Sequence, residues 1–302
     1  MSLIYHVTQF CENAYNTYGD CGEYCSHPSG KCSGGCFQCC NEVHFPKEYS
    51  GQRRKDYNCQ KFVYYYACRY SWKYCSEIVH ALSTINDMSD MWSLSQYPYL
   101  NILSIGCGAA PDLMAFEYVA PKDKRIFYRG FDINPCWEPI QKVIENYVET
   151  SNNIQTHFSI KDIFRVLQNG KPSHRLYNVI SLEYLISHFP EPERWSKAGL
   201  LFDGLINNQI RFRPSNTHII IIINDIDHYA STYFDLLLQK LSERKIAYKY
   251  LKYHFGYRKS DYRDGSIQYK DATNCFQIPE SMKQDFSCAI SCNSAQLIVE
   301  IG

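Results

Sequence analysis

A glycine turn placed directly after a buried strand constrains this chain more than any other feature. The run from Asn101 to Ala110 reads Asn-Ile-Leu-Ser-Ile-Gly-Cys-Gly-Ala-Ala, so that an apolar stretch leads straight into a Gly-x-Gly turn. A second short strand is predicted at 126–132 and ends on Asp132. Glycines let the backbone approach a ligand, and a carboxylate at the next strand end can bind a ribose diol. The sequence therefore predicts a nucleotide-type pocket.

Strands and helices alternate through most of the chain after residue 99. We predict strands at 99–105, 126–132, 154–159, 176–182 and 217–224, and helices at 109–119, 136–150, 161–168, 193–210 and 229–243. Such alternation is typical of a mostly parallel sheet with helices on both faces. The end of the chain differs, because 247–255 and 295–301 form a predicted antiparallel pair with a large insertion and no helix between them.

From about residue 97 to residue 302 the chain resembles the class I S-adenosylmethionine-dependent methyltransferases. The stretch from Ser104 to Ala110 resembles the first motif of that family, although Ser104 replaces its usual acidic residue and Ala110 its third glycine. The resemblance implies an α/β fold with a mostly parallel seven-stranded sheet, and a pocket for S-adenosylmethionine. The residues expected to bind this cofactor are Ile105, Gly106, Cys107, Gly108, Asp132, Ile133, Asp162, Leu182 and Glu183.

The same resemblance implies separate roles for three strand ends. Asp132 would hold the ribose hydroxyls, Asp162 would meet the adenine amine, and Glu183 would lie at the strand end under the reacting sulfonium. A nicotinamide-dependent dehydrogenase competes for the same turn. The missing third glycine, the Pro-Asp start of the following helix and the antiparallel end of the chain disfavour it.

Residues after the fourth predicted strand are candidates for the chemistry, because methyl transfer mainly requires alignment of an acceptor with the methyl group. The segment 181–190 lacks both an Asn/Asp-Pro-Pro-aromatic motif and a nucleophilic cysteine. We predict Glu183 and Tyr184 beside the acceptor, with His188 as a base; a surface or capping histidine is the alternative. At the fifth strand end, Asp225 is expected to be solvated and Asp227 to cap the next helix. A pair that binds a metal or deprotonates substrate beside His228 is the alternative.

Fifteen cysteines, ten of them from Cys11 to Cys75, point to a second kind of site. Their odd number disfavours a disulfide scaffold, whereas a close pair such as Cys36-x2-Cys39 is typical of zinc sites. We predict a metal-binding module whose ligands are Cys25, Cys32, Cys36, Cys39 and Cys59. Zinc is the expected metal, and the spacing of Cys32, Cys36 and Cys39 leaves an iron–sulfur cluster open.

Basic residues interleaved with tyrosines at 47–75 and 244–270 favour RNA as the methyl acceptor. Packing of these tyrosines on the main domain explains the pattern equally well. A protein or small-molecule acceptor is an alternative, as is a non-catalytic protein that docks partners through its metal module. The predicted organisation is a Cys-rich module at 1–60, a helical connector at 61–96 and a methyltransferase domain at 97–302, with an insertion at about 256–294. With no export signal and no long apolar run, we expect a cytoplasmic protein without a membrane partner.

Overall fold

The computed structural model describes residues 2–18, 35–44, 57, 59–87, 94–151, 153–168, 176–190, 193–255, 268–270 and 273–302. The α-helices of this part are α1 (Leu3–Thr17), α2 (Gly35–His44), α3 (Gln60–Asp87), α4 (Pro111–Val119), α5 (Glu138–Glu149), α6 (Ile163–Gln168), α7 (Arg194–Leu205), α8 (Asp227–Glu243) and α9 (Glu280–Phe286). The strands are β1 (Tyr99–Ile105), β2 (Arg125–Asp132), β3 (Ile154–Ile160), β4 (Val179–Glu183), β5 (Ile219–Ile226), β6 (Tyr248–Phe255), β7 (Gln268–Lys270) and β8 (Ser294–Ile301). Every helix of the described residues is too short or too polar to cross a membrane.

One sheet contains all of these strands in the order β3-β2-β1-β4-β5-β8-β6-β7. Strands β1 to β5 are parallel, and β8 runs antiparallel to both of its neighbours, β5 and β6. The chain changes direction across the sheet between β1 and β4, and ligands of open α/β sheets bind beyond the strand ends at such a point. The predicted mostly parallel α/β sheet is confirmed. It has eight strands rather than seven, because the three-residue β7 adds an edge beside β6.

Alternating side chains of the strands bury the two faces of the sheet under separate layers of helices. In β5, Ile220 and Ile222 enter the core shared with α1, α3, α4 and α5. Ile219, Ile221 and Ile223 enter the opposite core, shared with α6, α7 and α8. This period of two on a strand buried on both sides explains the continuous run of isoleucines.

The helix α3 is the centre of the first core. It extends over 28 residues, from Gln60 to Asp87. Nineteen of its residues are buried, among them Tyr64, Tyr65 and Trp72, so these aromatic residues pack in the protein rather than on an open surface. The proposed boundaries at 60 and 96 stay a prediction.

The segment before residue 60, for which only a Cys-rich module is predicted, contains the helix α1. Its buried residues Leu3, Ile4, Val7, Thr8 and Cys11 recur at the three- and four-residue spacing of one helix face. The cysteine content concealed this signal, because Cys11 serves as an apolar packing residue.

The C-terminal insertion also differs from its prediction, since it contains the helix α9. Arg69 on α3 donates through Nη1 to the carbonyl oxygen of Ser287 at 2.7 Å, and its own carbonyl accepts from the amide of Ala289 at 2.8 Å. Phe286 is fully buried in the same core. The described part of the insertion is therefore anchored on α3.

The carboxyl end of β2 depends on the absence of a side chain at Gly130. A Cβ added there would lie 2.8 Å from Cys107 Sγ and 2.8 Å from Phe158 Cδ1, closer than such atoms approach. We expect Gly130→Ala to lower the free energy of unfolding by about 1–3 kcal/mol, the cost of overpacking a core. Urea unfolding measures this change.

Gly199→Ala is the matched control, because its nearest neighbour is the flexible Lys240 side chain at 3.7 Å. Alanine at this position in α7 is expected to stabilise the protein by up to about 1 kcal/mol. Equal midpoints for the wild type and Gly130→Ala would contradict the packing described above.

Candidate functional site

The glycine turn after β1 lies against the end of β2. Gly106 and Gly108 have φ angles of +69° and +48°, a region that residues with side chains rarely adopt. The amides of Gly106 and Cys107 both donate to the carbonyl of Phe131, at 2.8 and 3.1 Å. These bonds hold the turn against the end of β2.

Asp132 connects the turn to the β2 end through its carboxylate. Oδ2 accepts from the amide of Gly108 at 2.8 Å, and Oδ1 accepts from the amide of Asn134 at 2.9 Å. Burial raises the pKa of Asp132, and these amides partly offset that rise. A carboxylate has about four acceptor positions, so two remain for ligand hydroxyls.

A cavity of about 400 Å³ opens beside the turn at the carboxyl ends of β1, β2 and β4. Such a volume fits a ligand of ordinary cofactor size. The cavity is lined by these residues of the predicted site: Ile105, Gly106, Cys107, Gly108, Asp132, Ile133, Asp162, Glu183, Tyr184 and His188. Leu182 is the exception, because it lies in the sheet and is buried in the second core.

Two of the predicted cofactor residues have additional structural contacts, and a third is exposed. Asp162 accepts from the amide of Phe164 through Oδ1 at 2.9 Å and so caps α6. The Cys107 thiol packs against the Gly130 backbone and lies 3.7 Å from Gln141 Nε2. Ile133 is 70% exposed at the cavity, which leaves an apolar surface for a ligand to cover.

Two buried carboxyl groups in this cavity have unused oxygen atoms. Among the described residues, neither Oε atom of Glu183 has a hydrogen-bond partner. Asp112 accepts from Tyr128 Oη at 2.8 Å through Oδ1, while its Oδ2 has no partner of ordinary hydrogen-bond length in the described chain. Asp112 was expected only as part of the start of a helix. The signal for its role is that an acidic residue lies in the first helical turn after the glycines.

Both carboxyl groups are costly to ionise in this environment. Burial raises the pKa of Glu183 well above its ordinary value, and the nearby carboxyls of Asp112 and Glu77 raise it further. Burial also raises the pKa of Asp112, although hydroxyl groups around it oppose the change. A cationic ligand group would favour the ionised forms of both.

Tyr184 is held in a strained backbone conformation at the cavity wall, with a φ of +52°. Its amide donates to the carbonyl of Asn224 at 2.7 Å, and its hydroxyl donates to Glu77 Oε2 at 2.8 Å. Its ring stacks on Tyr74 with centroids 4.2 Å apart. Strain of this kind costs about 1–3 kcal/mol and persists only where several contacts enforce it.

Glu77 is a positioning residue that the sequence analysis missed. It is fully buried in α3, and Oε1 accepts from the amide of Asn293 at 3.1 Å while Oε2 accepts from Tyr184. A single carboxyl group thus connects α3, the β4 end and the C-terminal insertion. Its signal was a lone acidic residue in the stretch from Gln60 to Asn86.

His188 lies in the cavity rather than on an open surface. His188 lies in a short 3₁₀ turn that follows β4, and its Nε2 is 3.1 Å from Tyr57 Oη. The segment after β4 is held by Asp225, whose Oδ2 accepts from the amides of Ile186 and Ser187 at 3.0 and 3.1 Å. The expectation that Asp225 is solvated is wrong, because only 1% of it is exposed. The side chain of Asp227 lies outside the described residues.

The predicted metal site receives no support from the described part of the chain. Cys25 and Cys32 lie outside the described residues, and no group of three or more potential ligands is found within them. Cys36 and Cys39 are buried on α2, whereas Cys59 directly precedes α3. A module bound to zinc or to an iron–sulfur cluster stays a prediction.

Elemental analysis of the purified chain tests the metal prediction directly. We expect at least about one zinc or iron atom per chain, with Cys36→Ser and Cys39→Ser lowering the content, because thiolates at this spacing share one ion. Cys292→Ser is the control, since this buried cysteine is far from the predicted ligands in the sequence. A metal-free wild type would refute the module.

Comparisons with known proteins concern the fold. No family model matches the chain, and no curated protein matches it. A human methyltransferase 10 domain containing protein is similar at 8% identity over 75% of this chain and 81% of that chain, with a TM-score of 0.43. The magnesium protoporphyrin IX methyltransferase of Synechocystis, solved with bound S-adenosylmethionine, is similar at 10% identity over 98% and 96%, with a TM-score of 0.42. An O-methyltransferase of Thermotoga maritima is similar at 11% identity over 75% and 63%, with a TM-score of 0.37.

The sheet itself defines the class of fold. Five parallel strands in the order β3-β2-β1-β4-β5 are followed by an antiparallel strand inserted between β5 and β6. A glycine turn follows β1, and an acidic residue ends β2. The chain therefore has the class I methyltransferase fold.

Proposed function

We propose that this chain is an enzyme that transfers a methyl group from S-adenosylmethionine. The observation that carries the proposal is the distribution of acidic groups in the cavity. Asp132 lies at the β2 end, where a ribose is expected, and the unused oxygens of Asp112 and Glu183 lie in the same cavity. These groups suit a ligand that combines a nucleoside with cationic groups.

The same distribution disfavours a dinucleotide. A nicotinamide cofactor would bring an anionic pyrophosphate to the glycine turn, and the buried carboxyls of Asp112 and Glu183 would repel it at low dielectric. S-adenosylmethionine instead carries a sulfonium and an ammonium group. Its charge would lower the raised pKa values of both carboxyls and stabilise the bound state.

We assign the cavity residues to separate tasks on this basis. The glycines Gly106 and Gly108 let the protein backbone lie close to the cofactor, and Asp132 binds the ribose hydroxyls. Asp112 supplies a carboxyl close to Ser104, where the family usually has an acidic residue. Bound there, the cofactor supplies an activated methyl group, while Glu183 and Tyr184 orient the acceptor and His188 is placed to accept a proton.

Calorimetry with S-adenosylmethionine tests the cofactor assignment. We expect binding at micromolar concentrations, and tighter binding than for NAD, because only the sulfonium cofactor complements Asp112 and Glu183. Failure to bind at high micromolar concentration would refute the enzyme and favour a non-catalytic interaction protein with this fold.

RNA is the acceptor we propose first. Tyr250 on β6 is 43% exposed, and Lys252 Nζ lies 5.8 Å from the centre of its ring. Lys249 is exposed on the same strand, and Lys161 is exposed at the cavity. Cations beside an exposed aromatic ring suit single-stranded nucleic acid. Tyr64 and Tyr65 of α3 are buried away from the cavity, so this proposal rests on fewer residues than the sequence indicated.

Transfer of labelled methyl groups to cell extracts tests the acceptor. We expect label in material that ribonuclease removes, and weaker labelling with Tyr250→Ala and Lys249→Ala together. Label that survives ribonuclease but is lost with protease would assign a protein acceptor instead.

A further inference from the structure

The wall of the cavity next to α3 is almost wholly aromatic. We use the term aromatic chamber for six residues that line it: Tyr57, Tyr66, Tyr70, Tyr74, Trp137 and Tyr184. Tyr57 meets Tyr66 edge to face at 5.0 Å, and Tyr70 and Tyr74 are nearly parallel at 5.5 Å. Contacts at these distances are the preferred geometries of aromatic pairs. The chamber is therefore a pre-formed surface for another flat ring.

The hydroxyl groups of the chamber already have partners in the protein. Tyr66 Oη and Tyr74 Oη are 2.8 Å apart, and Tyr57 Oη lies 3.1 Å from His188 Nε2. Burial also raises the pKa of Tyr66 and Tyr74 well above the ordinary value, so both hydroxyls stay neutral. The chamber thus offers ring surface without negative charge.

Cations of the protein already occupy positions over these rings. Lys73 Nζ lies 4.7 Å from the centre of the Tyr184 ring and 5.4 Å from that of Tyr74. The Arg69 guanidinium lies 5.3 Å from the centre of the Tyr70 ring. A cationic acceptor such as a lysine side chain would be repelled by both groups. An uncharged occupant is favoured.

Glu183 adds a polar contact to the same cavity. Its two Oε atoms are buried and have no hydrogen-bond partner among the described residues. A buried acceptor without a partner is costly, and an N–H donor from a ligand would remove that cost. A flat ring with an N–H group on its edge satisfies both the chamber and this carboxyl.

We propose that the acceptor is a neutral nitrogen heterocycle that stacks in the aromatic chamber and directs an N–H edge at Glu183. The inference rests on the proposed methyltransferase function and specifies the substrate class of that site. A nucleobase within RNA and a free heterocyclic compound share this chemistry.

Fluorescence of 2-aminopurine, a flat base with an exocyclic amine, provides the test. The protein is first saturated with S-adenosylhomocysteine, so that the probe cannot occupy the adenosine side of the cavity. We expect stacking to quench the probe, and Tyr74→Leu and Tyr57→Ala each to weaken its binding by at least about 10-fold. Tyr74→Phe and Tyr57→Phe should retain binding, because they keep the ring. Tyr57 lies outside the helices, so its variant is expected to fold even where Tyr74→Leu does not.

Two results would overturn the inference while leaving the cofactor assignment in place. One is binding of S-adenosylhomocysteine without quenching at millimolar probe; the other is equal quenching in wild type and Tyr57→Ala. Absence of S-adenosylhomocysteine binding in calorimetry would instead refute the proposed function, and the inference with it. Single-stranded RNA that displaces the probe identifies a nucleobase source, and a probe that RNA cannot displace identifies a free heterocycle.

Discussion

Replacing Asp132 by alanine is expected to weaken S-adenosylmethionine binding by at least about 100-fold. The change removes a carboxylate that would accept both ribose hydroxyls, and a hydrogen bond to a charged group contributes about 1.5–3 kcal/mol. It also leaves the amides of Gly108 and Asn134 without their acceptor, so the glycine turn loses its link to β2. Calorimetry measures the loss of affinity.

Asp123→Ala is the matched control, because Asp123 is an exposed residue of the turn before β2. It should bind the cofactor as the wild type does. Circular dichroism of Asp132→Ala separates a lost ligand contact from a lost fold. Unchanged affinity in a folded Asp132→Ala protein would mean that the ribose lies elsewhere.

Replacing Glu183 by glutamine is expected to reduce methyl transfer about 100-fold, because the acceptor loses a group that orients it, and to stabilise the free protein. The stability effect depends on pH. The pKa of Glu183 is raised above its ordinary value of 4.5 mainly by burial, so the folded protein holds this proton more tightly than the unfolded chain does. The stability from this group is complete below pH 4.5 and is lost as the pH rises through the folded pKa.

Glutamine cannot ionise, so Glu183→Gln escapes that loss. The variant should match the wild type in acid and exceed it at higher pH by about 1–3 kcal/mol, the cost of a buried group without a partner. Urea unfolding across the pH range measures the difference, and Glu149→Gln, at an exposed site in α5, should show none. A constant difference at all pH values would contradict an unpaired buried carboxyl at this position.

The parallel half of the fold was readable from the sequence because its signals are local. A strand buried on both faces needs a continuous apolar run, as at 219–223, and a turn with positive φ needs glycine, as at Gly106 and Gly108. Most predicted cofactor residues line one cavity for the same reason, since the carboxyl ends of parallel strands meet at one edge. Leu182 does not line the cavity, because the side chains of a strand alternate between faces and that of Leu182 enters the second core.

The aromatic residues of α3 were ambiguous because composition does not show which side of a helix is covered. In the segment that suggested RNA binding, Tyr64, Tyr65 and Trp72 are buried. Helices α1 and α2 and the insertion pack on this segment of α3. The two helices were not predicted, and the insertion is distant in the sequence. Three other tyrosines of α3 line the cavity instead, because they lie on the helix face towards β4. They are Tyr66, Tyr70 and Tyr74.

The parallel α/β sheet, the glycine turn and the acid at the end of β2 can each be predicted from residues close together in the chain. The contact of Glu77 with Tyr184, the cavity shared by Asp112 and Glu183, and the tyrosine wall contributed by α3 arise only in the folded protein. Glu77 and Tyr184, for example, are 107 positions apart in the chain. Their energies come from burial and hydrogen bonds that exist only once the helices have packed on the sheet.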